Sequence, residues 1–173
     1  EIAATYKATP SMVLLTCYAL VLERWCNQDK FFINIPLFNR DLENENLKNM
    51  VADFTTLLLV EYETLKDNSF IETLKRTSKT FLENASHSSY NGVQVQRDIS
   101  KNQGSSVNVA PVVFACNIDY PLETETLRNT LGRIGYMISQ TPGVWLDFQS
   151  YINDGNLIIC WDSVDELFPE GVL

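Results

Sequence analysis

Two strand-like segments, Leu146 to Ile152 and Leu157 to Trp161, flank the turn Asn153-Asp154-Gly155, and a turn of that composition joins antiparallel strands. This is the tightest constraint in the chain, because it demands a sheet with a hairpin near its end. The first of these strands also carries an acid. Counted with period two, Val144, Leu146 and Phe148 face one side, and Trp145, Asp147 and Gln149 the other. A carboxylate in an apolar strand loses its hydration unless it faces solvent, is hydrogen-bonded, or sits in a cleft where a shifted proton affinity is useful. The strand alone leaves both readings open, a solvated Asp on an edge strand and a functional one.

The rest of the chain supplies helices to cover such a sheet. Thr9 is placed to cap a helix with Pro10 at its first position. The segment from Ser11 to Trp25 is apolar nearly all round, which predicts a buried helix. Strands are expected over Phe31 to Leu37 and Thr55 to Tyr62, with the polar loop Asn39 to Asn46 after the first. Ser69 and Glu72 form a capping box, and Phe70, Leu74, Phe81, Leu82 and Ala85 recur at helical spacing behind it. Gly92, Val93, Val95 and Ile99 suggest a short helix, Lys101 to Asn108 a loop, and Val112 to Cys116 a strand. A polar excursion to about Arg128 precedes the segment Ile134 to Ile138, and Ser163 with Glu166 reads as a second capping box opening a last short helix. Helices interleaved with strands make the class mixed α/β, with helices layered on a sheet.

Charge and composition exclude several functions. A net charge of -9, with scattered basic residues, argues against nucleic acid or an anionic membrane surface as partner. No apolar run approaches the roughly 20 residues of a membrane span. Cys17, Cys26, Cys116 and Cys160 lack Cys-x-x-Cys spacing and sit among apolar neighbours, as buried free thiols of a reducing compartment would. His87 is the only histidine and lies in the polar run Ser86 to Ser89, so neither a metal site nor a Cys-His or Ser-His dyad is expected. The 45% of apolar residues is ordinary for a globular chain of 173 residues. Glu1 at the start and Val172-Leu173 just after a turn lead us to expect a piece of a longer protein.

Four colinear segments resemble the heterocyclization domain of nonribosomal peptide synthetases, a branch of the condensation-domain family. They are Thr9-Pro10-Ser11 through Leu22-Glu23-Arg24-Trp25, Ala52-Asp53-Phe54-Thr55-Thr56-Leu57, Pro111-Val112-Val113-Phe114-Ala115-Cys116, and Ser139-Gln140-Thr141-Pro142-Gly143-Val144-Trp145-Leu146-Asp147 followed by Trp161-Asp162. Phe38-Asn39-Arg40 and Leu167 to Gly171 are family-like as well. The resemblance covers essentially the whole chain and identifies residues 1–173 with the C-terminal lobe. It implies a chloramphenicol-acetyltransferase-like lobe, a mixed sheet with helices packed on it, that pairs with an N-terminal lobe carrying the family's tandem-aspartate motif, which this chain lacks.

The function so implied is joining a carrier-bound acyl thioester to a Cys, Ser or Thr thioester and cyclodehydrating the product to a thiazoline or oxazoline. The setting would be a cytoplasmic, siderophore-type or peptide-antibiotic assembly line. No cofactor is expected on the chain itself, since phosphopantetheine arms of carrier domains deliver the substrates through a tunnel. The implied partners are carrier domains, adenylation modules and the absent lobe. The full-length parent is then an enzyme, and the isolated chain is expected to be inactive.

Asp147 is the first catalytic candidate, because one carboxyl alternating between its two forms can both deliver and remove the protons that cyclodehydration moves. Gln149, on the same face, is placed to orient it or the substrate amide. Asp53, Thr55 and Asn39 are candidates for lining the tunnel or for purely structural roles, and Arg40 is expected to organise a loop. The family's Pro-Val-Val-Phe-Thr-Ser strand supplies a hydroxyl where this chain has Ala115, and Cys116 is expected on the opposite face. A methyl group neither donates nor accepts a hydrogen bond. The alternatives are therefore a degenerate lobe that only condenses, and a non-catalytic lobe that only docks carriers.

Overall fold

The computed structural model describes residues 2–38, 40, 43–65, 67–103 and 109–173, and it divides into two compact units, Glu1–Ala110 and Pro111–Leu173. In the first unit α1 (Ile2–Thr5) and α2 (Pro10–Trp25) precede β1 (Lys30–Phe38), α3 (Glu45–Lys48), β2 (Thr55–Glu63), α4 (Phe70–Ser86) and α5 (Gly92–Gln103). The two strands form an antiparallel ladder from Lys30 opposite Glu63 to Phe38 opposite Thr55. Helices α4 and α5 pack on β2, and α2 packs on α4.

The caps read from sequence are made. The Thr9 hydroxyl accepts from the Met12 amide at 3.3 Å, and Ser69 and Glu72 cap α4 reciprocally. Asn91 does the same for α5, its side chain accepting from the Val93 and Gln94 amides while Gln94 accepts from the Asn91 amide. Helix α5 begins so close to β2 that a Cβ on Gly92 would lie 3.1 Å from the Leu57 carbonyl oxygen and the Leu59 nitrogen. A side chain there would require the β2 backbone to give by a few tenths of an ångström.

Helix α2 buries Met12, Leu15, Ala19 and Leu22 along one stripe and leaves Cys17 on the other side, exposed. Cys26, Cys116 and Cys160 are half-buried, so the expectation of four buried thiols is corrected. A stripe at i, i+3 and i+4 spacing fills the core without the whole circumference. The Tyr62 hydroxyl donates to Glu23 Oε2 at 2.7 Å, tying β2 to α2, and burial pushes its proton affinity above the ordinary phenol range.

The second unit contains β3 (Val112–Pro121), α6 (Glu125–Leu131), β4 (Leu146–Asn153), β5 (Asn156–Ser163) and a 3-10 turn (Asp165–Leu167). Strand β4 runs parallel to β3 and antiparallel to β5, a mixed three-stranded sheet. The polar excursion proves to contain α6, with Thr124 as N-cap. Seven residues are too few to show helical periodicity. Buried Glu123 accepts from Arg128 at 3.2 Å, and Arg128 donates to Asp154 at 2.7 Å, fastening α6 to the hairpin tip.

The second capping box does not form. Ser163 is still the last residue of β5, opposite Leu146, and its hydroxyl turns to Asp165, so the expected helix is a single 3-10 turn. Helix α5 takes in Lys101–Gln103 of the expected loop, and residues 104–108 lie outside the described ones. Among the described residues no helix is long and apolar enough to cross a membrane.

Candidate active site around Asp147

The approach to β4 is set by local sequence. Thr141-Pro142-Gly143-Val144 closes a turn through a hydrogen bond from the Val144 amide to the Thr141 carbonyl at 3.1 Å. Gly143 has φ +80°, and proline before glycine is the pattern of a type II turn. The Trp145 amide then donates to the Pro111 carbonyl at 2.7 Å, and the Trp145 carbonyl accepts from the Val164 amide at 3.0 Å. The strand is thereby pinned on both sides just before it presents Asp147.

Asp147 is 5% exposed. Its Oδ2 accepts a long 3.4 Å hydrogen bond from the Gln149 side-chain amide, and its Oδ1 has no partner. Burial pushes its proton affinity above the usual carboxylate range, helped by the charge of Asp162, while Ser139 and Gln149 pull the other way. Desolvation is the largest of these effects, the Gln149 contact is long, and one oxygen is bare. A carboxyl in this state holds a proton at higher pH than an exposed one, as a general acid requires.

The register places the rest of the face. Val113 and Ala115 of β3 lie opposite Asp147 and Gln149, and across β5 the same residues face Asp162 and Cys160. Ala115 thus shares the face of Asp147 and Gln149, with Cys116 opposite Ser150 on the reverse side. On that reverse side Phe114 stacks on Phe148, centroids 4.9 Å apart. A groove of about 680 Å³ opens over the Asp147 face, lined by the Ser139 to Val144 turn, Trp161, Asp162 and Ser163. Trp161 forms groove wall, and Trp145 is 47% exposed.

The remaining candidates lie in the first unit. Asp53 is exposed, and its Oδ1 accepts from the Thr55 amide at 2.8 Å. The Thr55 hydroxyl and amide hold its carboxyl below the usual carboxylate range. Thr55 is the exposed first residue of β2. Asn39 lies outside the described residues. Arg40 donates to the carbonyls of Leu47, Lys48 and Met50 at 3.1, 3.2 and 2.7 Å, with its guanidinium 4.4 Å above the Phe54 ring. It organises the loop as its donor count suggests.

Sequence reading left out one residue of this site, Asp162, which lies directly opposite Asp147. The signal was present. Counting outward from the Asp154-Gly155 turn pairs Asn153 with Asn156, and six more steps pair Asp147 with Asp162.

The condensation-domain family profile matches residues 1–150 of this chain. The chain belongs to the condensation-domain family. It is 37% identical over 173 residues to pyochelin synthetase PchE of Pseudomonas aeruginosa, covering 99% of this chain and 12% of that protein. It is 33% identical over 166 residues to phenyloxazoline synthase MbtB of Mycobacterium tuberculosis, covering 95% of this chain and 12% of that protein. The chain thus spans about one-eighth of the length of these curated relatives.

Among solved structures, the cyclization-docking bidomain of EpoB from Sorangium cellulosum matches with a TM-score of 0.77 and 31% identity, over 94% of this chain and 33% of that one. The nonribosomal peptide synthetase FmoA3, in its alpha-methyl-L-serine-AMP form, matches with a TM-score of 0.86 and 28% identity, over 98% of this chain and 19% of that one. The mixed α/β architecture is the chloramphenicol-acetyltransferase-like fold of condensation domains.

Proposed function

We propose that this chain is the C-terminal lobe of a heterocyclization domain within a cytoplasmic nonribosomal peptide synthetase. The parent joins an acyl thioester to a Cys, Ser or Thr thioester, both carried on phosphopantetheine arms of carrier domains loaded by adenylation modules. It then closes the ring. The observation that carries this reading is Asp147, a 5%-exposed acid with raised proton affinity opening on a groove. Relatives named as pyochelin and phenyloxazoline synthetases and as a cyclization domain support it.

In this reaction the side-chain sulfur or oxygen attacks the new amide carbonyl carbon, forming the ring bond. The carbonyl oxygen takes up the nucleophile's S–H or O–H proton to become a hydroxyl and leaves as water after receiving a second proton, and loss of the amide N–H proton creates the C=N bond. Asp147 in its acid form supplies the proton to the departing hydroxyl and, once ionised, collects the one released. Gln149 is placed to hold Asp147 Oδ2. The arms are substrate carriers, not resident cofactors.

Ala115 favours a second reading, a lobe that condenses without closing rings. It stands on the working face, beside Gln149, where the family pattern has a hydroxyl. Incubating the parent synthetase with loaded carriers and weighing the released product separates the two readings. Loss of one water beyond amide formation supports cyclization, and an open-chain amide as sole product would overturn it. Ala115→Thr is expected to raise the ring fraction, by about tenfold if a neutral hydrogen bond of roughly 1.4 kcal/mol is gained in the transition state. An unchanged ring fraction would show that the missing hydroxyl is not what limits the reaction.

A further inference from the structure

Asp162 faces Asp147 directly across the β4–β5 ladder, and both carboxylates border the same groove. Directly opposed residues of an antiparallel pair hold their Cβ atoms about 4.5–5.5 Å apart, so two carboxyls there sense each other strongly. Their surroundings differ. Asp162 is half-buried, and its Oδ2 accepts the Ser139 backbone N–H at 2.8 Å. Asp147 has one bare oxygen and a long 3.4 Å contact from Gln149, and Ser139 pulls its proton affinity down from the other side without outweighing burial. An amide donor stabilises a carboxylate in its charged form, and apolar burial favours the protonated form. Burial raises the proton affinity of Asp147, and the neighbouring charge of Asp162 adds to that effect.

The geometry points to Asp162 as a positioning residue whose charge, directly across the ladder, favours the acid form of Asp147, held in that role by the Ser139 amide. This inference rests on the cyclizing reading of the groove. Other groups of this unit do not compete for the role. Strand β3 presents Val113, Ala115 and Asn117 to the same face, β4 adds Gln149 and Tyr151, and β5 adds Cys160 beside Asp162. Tyr151 and Cys160 are occupied with each other, oxygen to sulfur at 3.9 Å. Asp165, on the 3-10 turn, lines the groove but accepts from the Ser163 hydroxyl. Asp162 is the one acid in register with Asp147.

Asp162→Asn keeps an oxygen for the Ser139 amide and removes the charge, so the test isolates the electrostatic effect. In the parent synthetase the pH profile of ring closure should lose its alkaline limb at a lower pH. At neutral pH, ring closure should slow about tenfold for each unit by which Asp147's proton affinity falls, and amide formation should be unaffected. A profile that keeps its position, or equal losses in both steps, would overturn the assignment. An infrared titration of the same parent chain gives a readout that needs no ring closure. The protonated-carboxyl band lost in Asp147→Asn should titrate in the wild type at a higher pH than an ordinary carboxyl. In Asp162→Asn the Asp147 band should titrate at a lower pH than in the wild type. If the wild type makes no ring but the band shifts this way, the cyclizing reading fails and the coupling of the two acids stands. If the band does not move, the coupling itself is wrong. Should Asp162→Asn not fold, a wild-type band titrating in the ordinary carboxylate range is by itself enough to sink the proposal.

Discussion

Asp147→Ala in the parent synthetase is expected to leave amide formation intact and to slow ring closure by about 10²- to 10⁴-fold, the usual contribution of a positioned proton donor. The selectivity follows from what each step needs. Ring closure expels a hydroxyl that leaves poorly without a proton, and the only acid on the groove face that is both buried and short of partners is Asp147, among the described residues. Single-turnover assays with loaded carriers, quenched and weighed, separate the open amide from the ring. Unchanged ring closure would remove Asp147 from the chemistry.

A stability signature accompanies the kinetic one. Asp147 binds its proton more tightly folded than unfolded, because burial penalises the charged form. Its favourable contribution is therefore full below the unfolded carboxylate value and is lost as pH rises through its raised folded value. Asp147→Asn removes that dependence. The variant's Tm should gain on the wild type as pH is raised from acid to neutral, measured as a pH series of thermal melts.

Much of the candidate site is legible in the sequence, and the parts that are not have physical reasons. The Asn153-Asp154-Gly155 turn fixed a hairpin, and a hairpin fixes register, so the pairing of Asp147 with Asp162 was available by counting. In the sequence Asp162 follows Trp161 as part of a motif and shows no chemistry of its own. The proton affinity of Asp147 was not readable at all. It depends on a bare Oδ1 and on how completely the groove wall closes, which are packing outcomes. The fold shows the same division. Caps at Thr9 and Ser69 announced α2 and α4, because a side-chain oxygen three residues before a free amide is a local signal. Helix α6 has a comparable cap, Thr124 accepting from the Leu127 amide, but only seven residues follow it, too few to show a periodic face, and its other anchors are buried Glu123 and an Arg128–Asp154 pair 26 residues apart in sequence. Cys17 misled for a related reason, because apolar neighbours in sequence lie around a helix, not beside one another.

The second large effect is expected at Phe114, on the reverse face of the same sheet. Phe114 is 1% exposed and stacks on Phe148 with rings 4.9 Å apart and 17° from parallel. Phe114→Ala should destabilise the protein by about 3–5 kcal/mol, the range for emptying a buried aromatic site. The stacking itself accounts for only about 0.5–1.5 kcal/mol of such a loss, so the cavity decides the magnitude. For a domain whose whole stability is of order 5–15 kcal/mol this is a large share. Phe114 and Phe148 sit next in chain to Ala115 and Asp147, so loosening their contact lets the working face of β3 and β4 shift as one. Denaturant titration reads the stability loss, and hydrogen exchange should show the β4 amides exchanging faster. Where Asp147→Ala is expected to spare amide formation, Phe114→Ala should depress amide formation and ring closure together, because it disturbs a platform and not a proton. Replacement by Leu, which refills most of the volume, should recover the greater part of both. If Phe114→Ala melts like the wild type, the two rings are not the core that holds Asp147 in place, and the raised proton affinity must have its support elsewhere.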